Sequence, residues 1–357
     1  MSELVLRVDG RNYIGFKEVV LLRSIEQGPH QFELKIAPDL NTNGGVFEVE
    51  DGMSCQAYID DDLVLTGAVD DVNVDYDSQT HEITVIGRSK CGDLADCSTT
   101  GQQIKAGQTL LSVARQLCKP FGISVIVDSS ATAAANQAFT ATDLTLDAGQ
   151  PIWEALEELA RIRAVLLISD AAGNLVITRS GTGTADVPLV LGANIKAASA
   201  QRSHRSLFSE YTVAGQAANW ATLSAAANSQ SKSTITGDAR RYRPSVIVTD
   251  QSVDSAACQA RAEWQRRVSY GRSRSINYTM RGWRQSGDEG RIWMPNELVR
   301  VTDKFSSLDN AQRLITAVAT NLTARSGRTS TLTVMPKAAF DLITQPESTG
   351  ATSGGTL

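Results

Sequence analysis

The first ninety residues alternate apolar and polar positions in short runs broken by turn-forming residues, which is the period of half-buried β-strands. Leu4-Val5-Leu6-Arg7-Val8 runs into Asp9-Gly10, a pair suited to the positive φ angles of a two-residue hairpin. Val19–Leu22 and Phe32–Ile36 continue the pattern, with Pro29 and Pro38 at the breaks. Cys55–Ile59 and Leu63–Val69 flank a turn at Asp60-Asp61-Asp62, and the strictly alternating Val72–Tyr76 is predicted to pair with Glu82–Gly87. Short strands at this spacing predict a barrel or sandwich over residues 1–90.

After Cys91 the period lengthens. Leu110, Val113, Ala114 and Leu117 make a helical stripe that stops at Pro120, and Ile123–Val127 reads as a strand. Pro151 stands where the first turn of a helix tolerates it, followed by the amphipathic Ile152, Leu156 and Leu159. Ala164–Ser169 and Leu175–Arg179 flank a hairpin turn at 170–174, so 91–183 is predicted to be a small α+β unit. Strands return at Val187–Leu191, Tyr211–Val213, Ile276–Met280 and Thr329–Val334. Residues 217–232 read as a long loop. One helix is expected from Ser252 to Arg267, with Ala256, Ala260 and Trp264 on its packed side. The third unit then covers 184–338, and 339–357, increasingly rich in Ser, Thr and Gly, is expected to be a flexible tail.

Composition changes the picture in two respects. Apolar residues make up 42% of the 357 positions, enough for several cores, yet no run reaches the roughly 18 residues of a membrane span. Met1–Gly10 lacks the basic flank and apolar stretch of a secretory signal, so the chain is expected to stay in the compartment where it is made, without stable membrane association. The net charge of −5 hides an asymmetry: residues 1–100 hold 19 acids against 7 bases, and the remainder 20 acids against 27 bases. Opposite signs on two parts of one chain favour complementary packing between units or between subunits.

Catalytic and cofactor signatures are missing. His30, His81 and His204 lie far apart, Gly-x-Ser-x-Gly is absent, and Gln108 stands where a phosphate loop following Gly101 and Gly107 needs lysine. Gly181-Thr182-Gly183 lacks the third glycine of a dinucleotide fingerprint. The five cysteines form no C-x-x-C pair and suit reduced, mostly buried thiols, although Cys91 and Cys97 could share a disulfide or a metal. Asp71, Asn73, Asp75, Asp77 and Glu82 fall at calcium-loop spacing, but Tyr76 occupies the position that needs glycine. Val72, Val74 and Tyr76 alternate with the acids, so a solvated strand face is expected there, with no metal and no cofactor.

Two clusters invite a binding role. Arginine is dense between Arg240 and Arg284, and Tyr242, Trp264 and Tyr270 stand among those arginines as in a nucleic-acid groove. Interspersed acids such as Asp238 and Glu263 favour subunit contact instead, with Arg261, Arg266 and Arg267 as the expected contacts. Trp283 and Trp293 bracket a Gly-rich turn and could form a ligand platform, but the commoner use of such a pair is core. Trp283, Trp293, Pro295, Asn296, Tyr242 and Pro244 are therefore assigned structural roles.

Several stretches together carry a resemblance. They are Arg23-Ser24-Ile25-Glu26 with Phe32-Glu33-Leu34, Gly87-Arg88-Ser89-Lys90 with Asp93–Cys97, Leu117–Gly122, Phe208–Val213, Arg241–Pro244 and Trp293-Met294-Pro295-Asn296. In this order and spacing, over about residues 5–336, the sequence resembles the baseplate hub family of phage Mu and Mu-like prophages. It departs at the end, where Ser/Thr/Gly-rich sequence replaces a longer charged tail.

The resemblance implies a mainly β chain with an α+β insert: two β-barrel domains flanking a small α+β domain, in a ring-forming trimer. It further implies a structural subunit of a contractile tail that joins a hexameric tail tube to a trimeric central spike. Other baseplate proteins would surround it, and DNA would meet it only in transit through a channel. Assembly would take place in the host cytoplasm. A tail-associated hydrolase, or a carbohydrate-binding tail protein using Trp283 and Trp293, is the alternative.

Overall fold

A computed structural model describes residues 2–36, 48–76, 81–139, 145–200, 202–214, 232–248 and 255–341. Its main feature is a 14-stranded sheet containing strands from both the first and the third unit. In the first unit, Asp9 and Gly10 take φ of 47° and 75° and turn Leu4–Val8 into Arg11–Tyr13. Asp60, at φ 56°, turns Ser54–Ile59 into Asp62–Tyr76. The two strands expected at Leu63–Val69 and Val72–Tyr76 are one 15-residue strand with a register shift between Val69 and Asp71. Alternation resumes beyond the extra residue, which is why a single strand looks like two in sequence.

The sheet contains the same strand plan twice. In the first unit the spatial order is Glu18–Ser24, Gln31–Ile36, His81–Ser89, Asp62–Tyr76, Ser54–Ile59. In the third unit it is Ile195–Ala200, Ile276–Arg281, Gly327–Met335, Leu308–Thr323, Glu297–Asp303. All of these neighbours pair antiparallel, and the registers coincide. Asp71↔Ile86 through Tyr76↔His81 in the first plan corresponds to Ala317↔Thr333 through Leu322↔Arg328 in the second. Each long strand has its register shift at the equivalent place, between Val69 and Asp71 and between Ile315 and Ala317.

The strand Leu308–Thr323 welds the two plans. Its first half pairs with Glu297–Asp303, and on the same edge its overrun, Ala317–Leu322, pairs with Val19–Ser24. This pairing corrects the expectation of two closed barrels, since among the described residues the strands form one continuous sheet. The edge of Glu18–Ser24 that would have to close the first barrel is already occupied by the second plan. Two separate cores remain, one holding Leu6, Leu21, Leu34, Ile59, Leu65 and Trp283, the other Tyr278, Trp293, Val301, Val318 and Leu332.

The middle unit packs Leu110–Cys118 and Ile152–Ile162 against a three-stranded sheet of Leu166–Ser169, Leu175–Thr178 and Val125–Val127. The third unit also contains a small sheet of Lys232–Thr236, Glu210–Ala214 and Pro244–Val248, covered by the helix Ser255–Arg272. That helix buries Cys258 and Ala262 rather than the expected stripe, leaving Ala256 exposed and Ala260 and Trp264 only half-buried. Small side chains let it approach Tyr211 and Val213 closely. Most of the expected 217–232 loop lies outside the described residues. The packed chain extends into the expected tail: Ala339 is buried and Asp341 accepts a hydrogen bond from Ser180 at 2.9 Å. Residues 342–357 lie outside the described residues. Among the described residues no helix is long and apolar enough to cross a membrane.

Candidate functional site

The residues that fix the units to one another form the chain's most constrained polar site. Along Glu18–Ser24 the inward positions are Val19, Leu21 and Arg23, so alternation carries a guanidinium into the interior. Arg23 is 1% exposed and donates to the Trp293 carbonyl at 2.7 Å, with Met294 Sδ at 3.1 Å. Burial pushes its pKa down to about 10, and Glu297 acts in the opposite direction, so it remains a cation at neutral pH. His30 is buried nearby. Burial first, and then the Arg23 charge, push the imidazole down to about 3, so the ring is neutral. The His30 backbone donates to Ser89 Oγ at 3.0 Å, and Ser169 Oγ of the middle unit reaches the same oxygen at 3.2 Å.

Asn296 anchors the crossover from the middle unit. Its φ of 68° lies in the left-handed region that asparagine tolerates better than most residues. The side chain accepts from the Gly181 backbone at 2.8 Å and donates to the Arg179 carbonyl at 2.9 Å and Thr182 Oγ1 at 3.2 Å. Trp293 is fully buried and Trp283 is 1% exposed, with Trp283 Nε1 donating to the Asn321 carbonyl at 2.9 Å. They sit in different cores and neither has a face on which a sugar could stack. Pro295 is half-buried, whereas Tyr242 is 79% exposed and Pro244 is also exposed.

Part of the charge asymmetry is used inside one chain. Arg284 bonds Asp60 at 2.9 Å and Asp62 at 2.8 Å, joining the second plan to the first, and Arg272 reaches Glu26 at 3.4 Å. Arg88 links Asp70 to Asp96 of the middle unit, both at 2.6 Å. Of the three arginines expected at a subunit contact, Arg266 makes a two-pronged pair with Asp238 at 2.9 and 3.0 Å. Arg261 stacks over Trp264 at 4.4 Å, and burial lowers its pKa. Arg267 is exposed and has no ion-pair partner among the described residues. The three arginines share one helix but are not brought to one site.

The calcium-spaced acids Asp71, Asn73 and Asp75 lie in an extended strand opposite Ile86, Thr84 and Glu82, a geometry that does not converge on an ion. Among the described residues no cluster of three His, Cys, Asp or Glu could hold a metal. Cys55, Cys91, Cys118 and Cys258 are buried and Cys97 is exposed. Burial pushes the Cys91 thiol up to about 11 and those of Cys55 and Cys118 up to about 12. Arg23, His30, Glu297 and the Asp60/Asp62 partners of Arg284 were not singled out from sequence. The available signal was a charged residue on the inward register of an alternating strand.

Comparison with known proteins adds the following. Family models match residues 3–89 (Mu phage baseplate assembly protein GpP-like, N-terminal), 91–179 (baseplate hub protein gp44-like, second domain) and 254–343 (Mu phage baseplate assembly protein GpP, fourth domain). The baseplate hub protein gp44 of Escherichia phage Mu is 33% identical over 351 residues, spanning 95% of this chain and 89% of the relative. The 43 kDa tail protein of prophage MuSo2 from Shewanella oneidensis superposes with a TM-score of 0.82 at 34% identity, covering 95% of this chain and 100% of its own. A tail protein from Neisseria meningitidis shares the fold at a TM-score of 0.79 and 20% identity, covering 97% and 99%.

Proposed function

The chain belongs to the baseplate hub family of Mu-like phage tails, and from that premise we propose that three copies close a ring between a hexameric tail tube and a trimeric central spike. The duplicated strand plan is the observation that supports this reading. Three chains with two equivalent units each present six similar elements to a six-fold tube while keeping three-fold symmetry for a spike. The ring encloses a channel that DNA crosses only in transit, other baseplate proteins surround it, and the subunit acts without catalysis in the virion tail after assembly in the host cytoplasm. In this reading 1–90 and 184–338 are the ring-forming units and 91–183 lies between them. Arg261, Arg266 and Arg267 stay assigned to subunit contact, the first two also serving contacts within the chain. Light scattering at micromolar concentration should give the mass of three copies. A single copy, a two-fold dimer, or peptidoglycan clearing by the purified protein would refute the proposal.

A further inference from the structure

Apart from a shift between Ile195 and Ala197, the two strand plans share their registers, but they differ at one edge. In the second plan the overrun Ala317–Leu322 is covered by Val19–Ser24 of the first plan. The equivalent overrun in the first plan starts at Asp71, because Asp71↔Ile86 corresponds to Ala317↔Thr333. Along Asp71–Asp75 the only strand partner among the described residues is His81–Ser89, and the opposite edge carries none. Asp71, Asn73, Val74 and Asp75 are exposed, Val74 at 51%.

The complementary element has a counterpart as well. The strand that covers Ala317–Leu322 pairs on its other side as Glu18↔Lys35 and Leu21↔Phe32. In the second plan Ala197↔Thr279 and Ala200↔Ile276 occupy those places. Lys35 and Thr279 correspond through their own partners, Thr84 and Thr331. Ile195–Ala200 is therefore the counterpart of Glu18–Ser24, and at the same spacing Arg202-Ser203 stands where the first plan has Arg23-Ser24. This strand ends the sheet: among the described residues its outer edge carries no further strand, only an isolated bridge of Ile195 to Leu191, and its side chains are exposed from Lys196 to Ala200.

We propose that Ile195–Ala200 of one copy adds antiparallel to the Asp71–Asp75 edge of the next, repeating between copies the weld that joins the two plans within a chain. It rests on the ring proposed above and specifies which residues close it. The intrachain pairs Thr320↔Leu21, Asn321↔Val20 and Val318↔Arg23 carry over to Val74↔Ala200, Asp75↔Ser199 and Val72↔Arg202 between copies. Every unit then gives one strand and receives one, so the contact is head-to-tail and can close. Covering both edges also removes two templates for unspecific strand addition.

Paired cysteines test the register. Directly opposed residues on antiparallel strands bring Cα atoms to about 4.5–5.5 Å, within the range that a disulfide spans. In a Cys97→Ser background, which removes the exposed native thiol, Val74→Cys with Ala200→Cys should give chains cross-linked between copies under mild oxidation. The cross-link should be lost when Ala198→Cys replaces Ala200→Cys, a shift of two positions. Mixing the two single variants should give linked pairs and nothing larger. If the cysteines impair folding, hydrogen exchange on the unaltered chain gives an independent measure. The Asp71–Asp75 and Ala198–Ala200 amides should be protected at concentrations where three copies scatter, and lose protection on dilution. A three-copy particle with neither cross-link nor protection would overturn the strand pairing and leave the ring standing. A particle of one copy would overturn both.

Discussion

Acidification should weaken the junction through His30, in a window that opens above that of the depressed aspartates. An unperturbed histidine titrates near 6.5, and in the folded chain burial and then the neighbouring Arg23 cation depress His30 to about 3. Below pH 6.5 the unfolded ring therefore binds a proton that the folded ring refuses. Stability from this group is complete above about pH 6.5, falls as the pH drops, and stops falling once the folded ring protonates near 3. At pH 5 the unfolded state gains about 2 kcal/mol from that proton, against less than about 0.1 kcal/mol at pH 7.5. Asp60, Asp96, Asp186 and Asp303 are held below the ordinary carboxylate range, so stability from them is lost only at lower pH. His30→Gln cannot titrate. Urea unfolding followed by tryptophan emission, at pH 7.5 and 5.0, should show the unaltered chain losing about 2 kcal/mol more than the variant between the two conditions. Equal losses would refute both the burial of a neutral imidazole and the Arg23 contact invoked to keep it neutral.

Two further substitutions probe the same region. Trp293→Ala removes a fully buried ring from the second core and should cost about 3–5 kcal/mol in urea unfolding; a variant as stable as its parent but unable to support tail assembly would make Trp293 a binding residue instead. Asn296→Ala leaves the Gly181 N–H and the Arg179 carbonyl without their partner and should cost about 2–4 kcal/mol. Asn296→Gly, which accepts the φ of 68° but restores no hydrogen bond, should recover little of that loss; full recovery would mean that backbone strain matters there and the hydrogen bonds do not.

Local structure was legible in the sequence wherever one face of an element is buried and a turn residue marks its end. Leu4–Val8 with Asp9-Gly10, and the amphipathic Ile152–Ile162, show both features. The strand Leu308–Thr323 went unrecognised because its first residues, Asp309 to Gln312, are polar or small and only half-buried or exposed. It begins as a partner of Glu297–Asp303 and becomes a partner of Val19–Ser24, and a register shift between Ile315 and Ala317 interrupts its alternation. The junction was hidden for a related reason. The Arg23 guanidinium is stabilised by the Trp293 carbonyl, some 270 positions away, and no local pattern announces a partner at that separation.

Residue patterns alone did not reveal the duplication, because a strand plan is inherited as register rather than as residue identity. What the two plans must share is the inward alternation that builds a core and the extra residue that bends each long strand. Phe32, Leu34 and Ile36 face inward in the first plan, and Ile276, Tyr278 and Met280 do so in the second, with no identity among them. Asp70 and Thr316 occupy the same place in the two register shifts, although one is a surface acid bonded to Arg88 and the other a buried hydroxyl. Identities at equivalent places are few and scattered: Arg23-Ser24 with Arg202-Ser203, Val72 with Val318, and Thr84 with Thr331. The first lies at the strand that welds the two plans in the chain, and just beyond Ile195–Ala200, the strand proposed to weld one copy to the next. Register was therefore kept along the plan while nearly all residue identity was free to change.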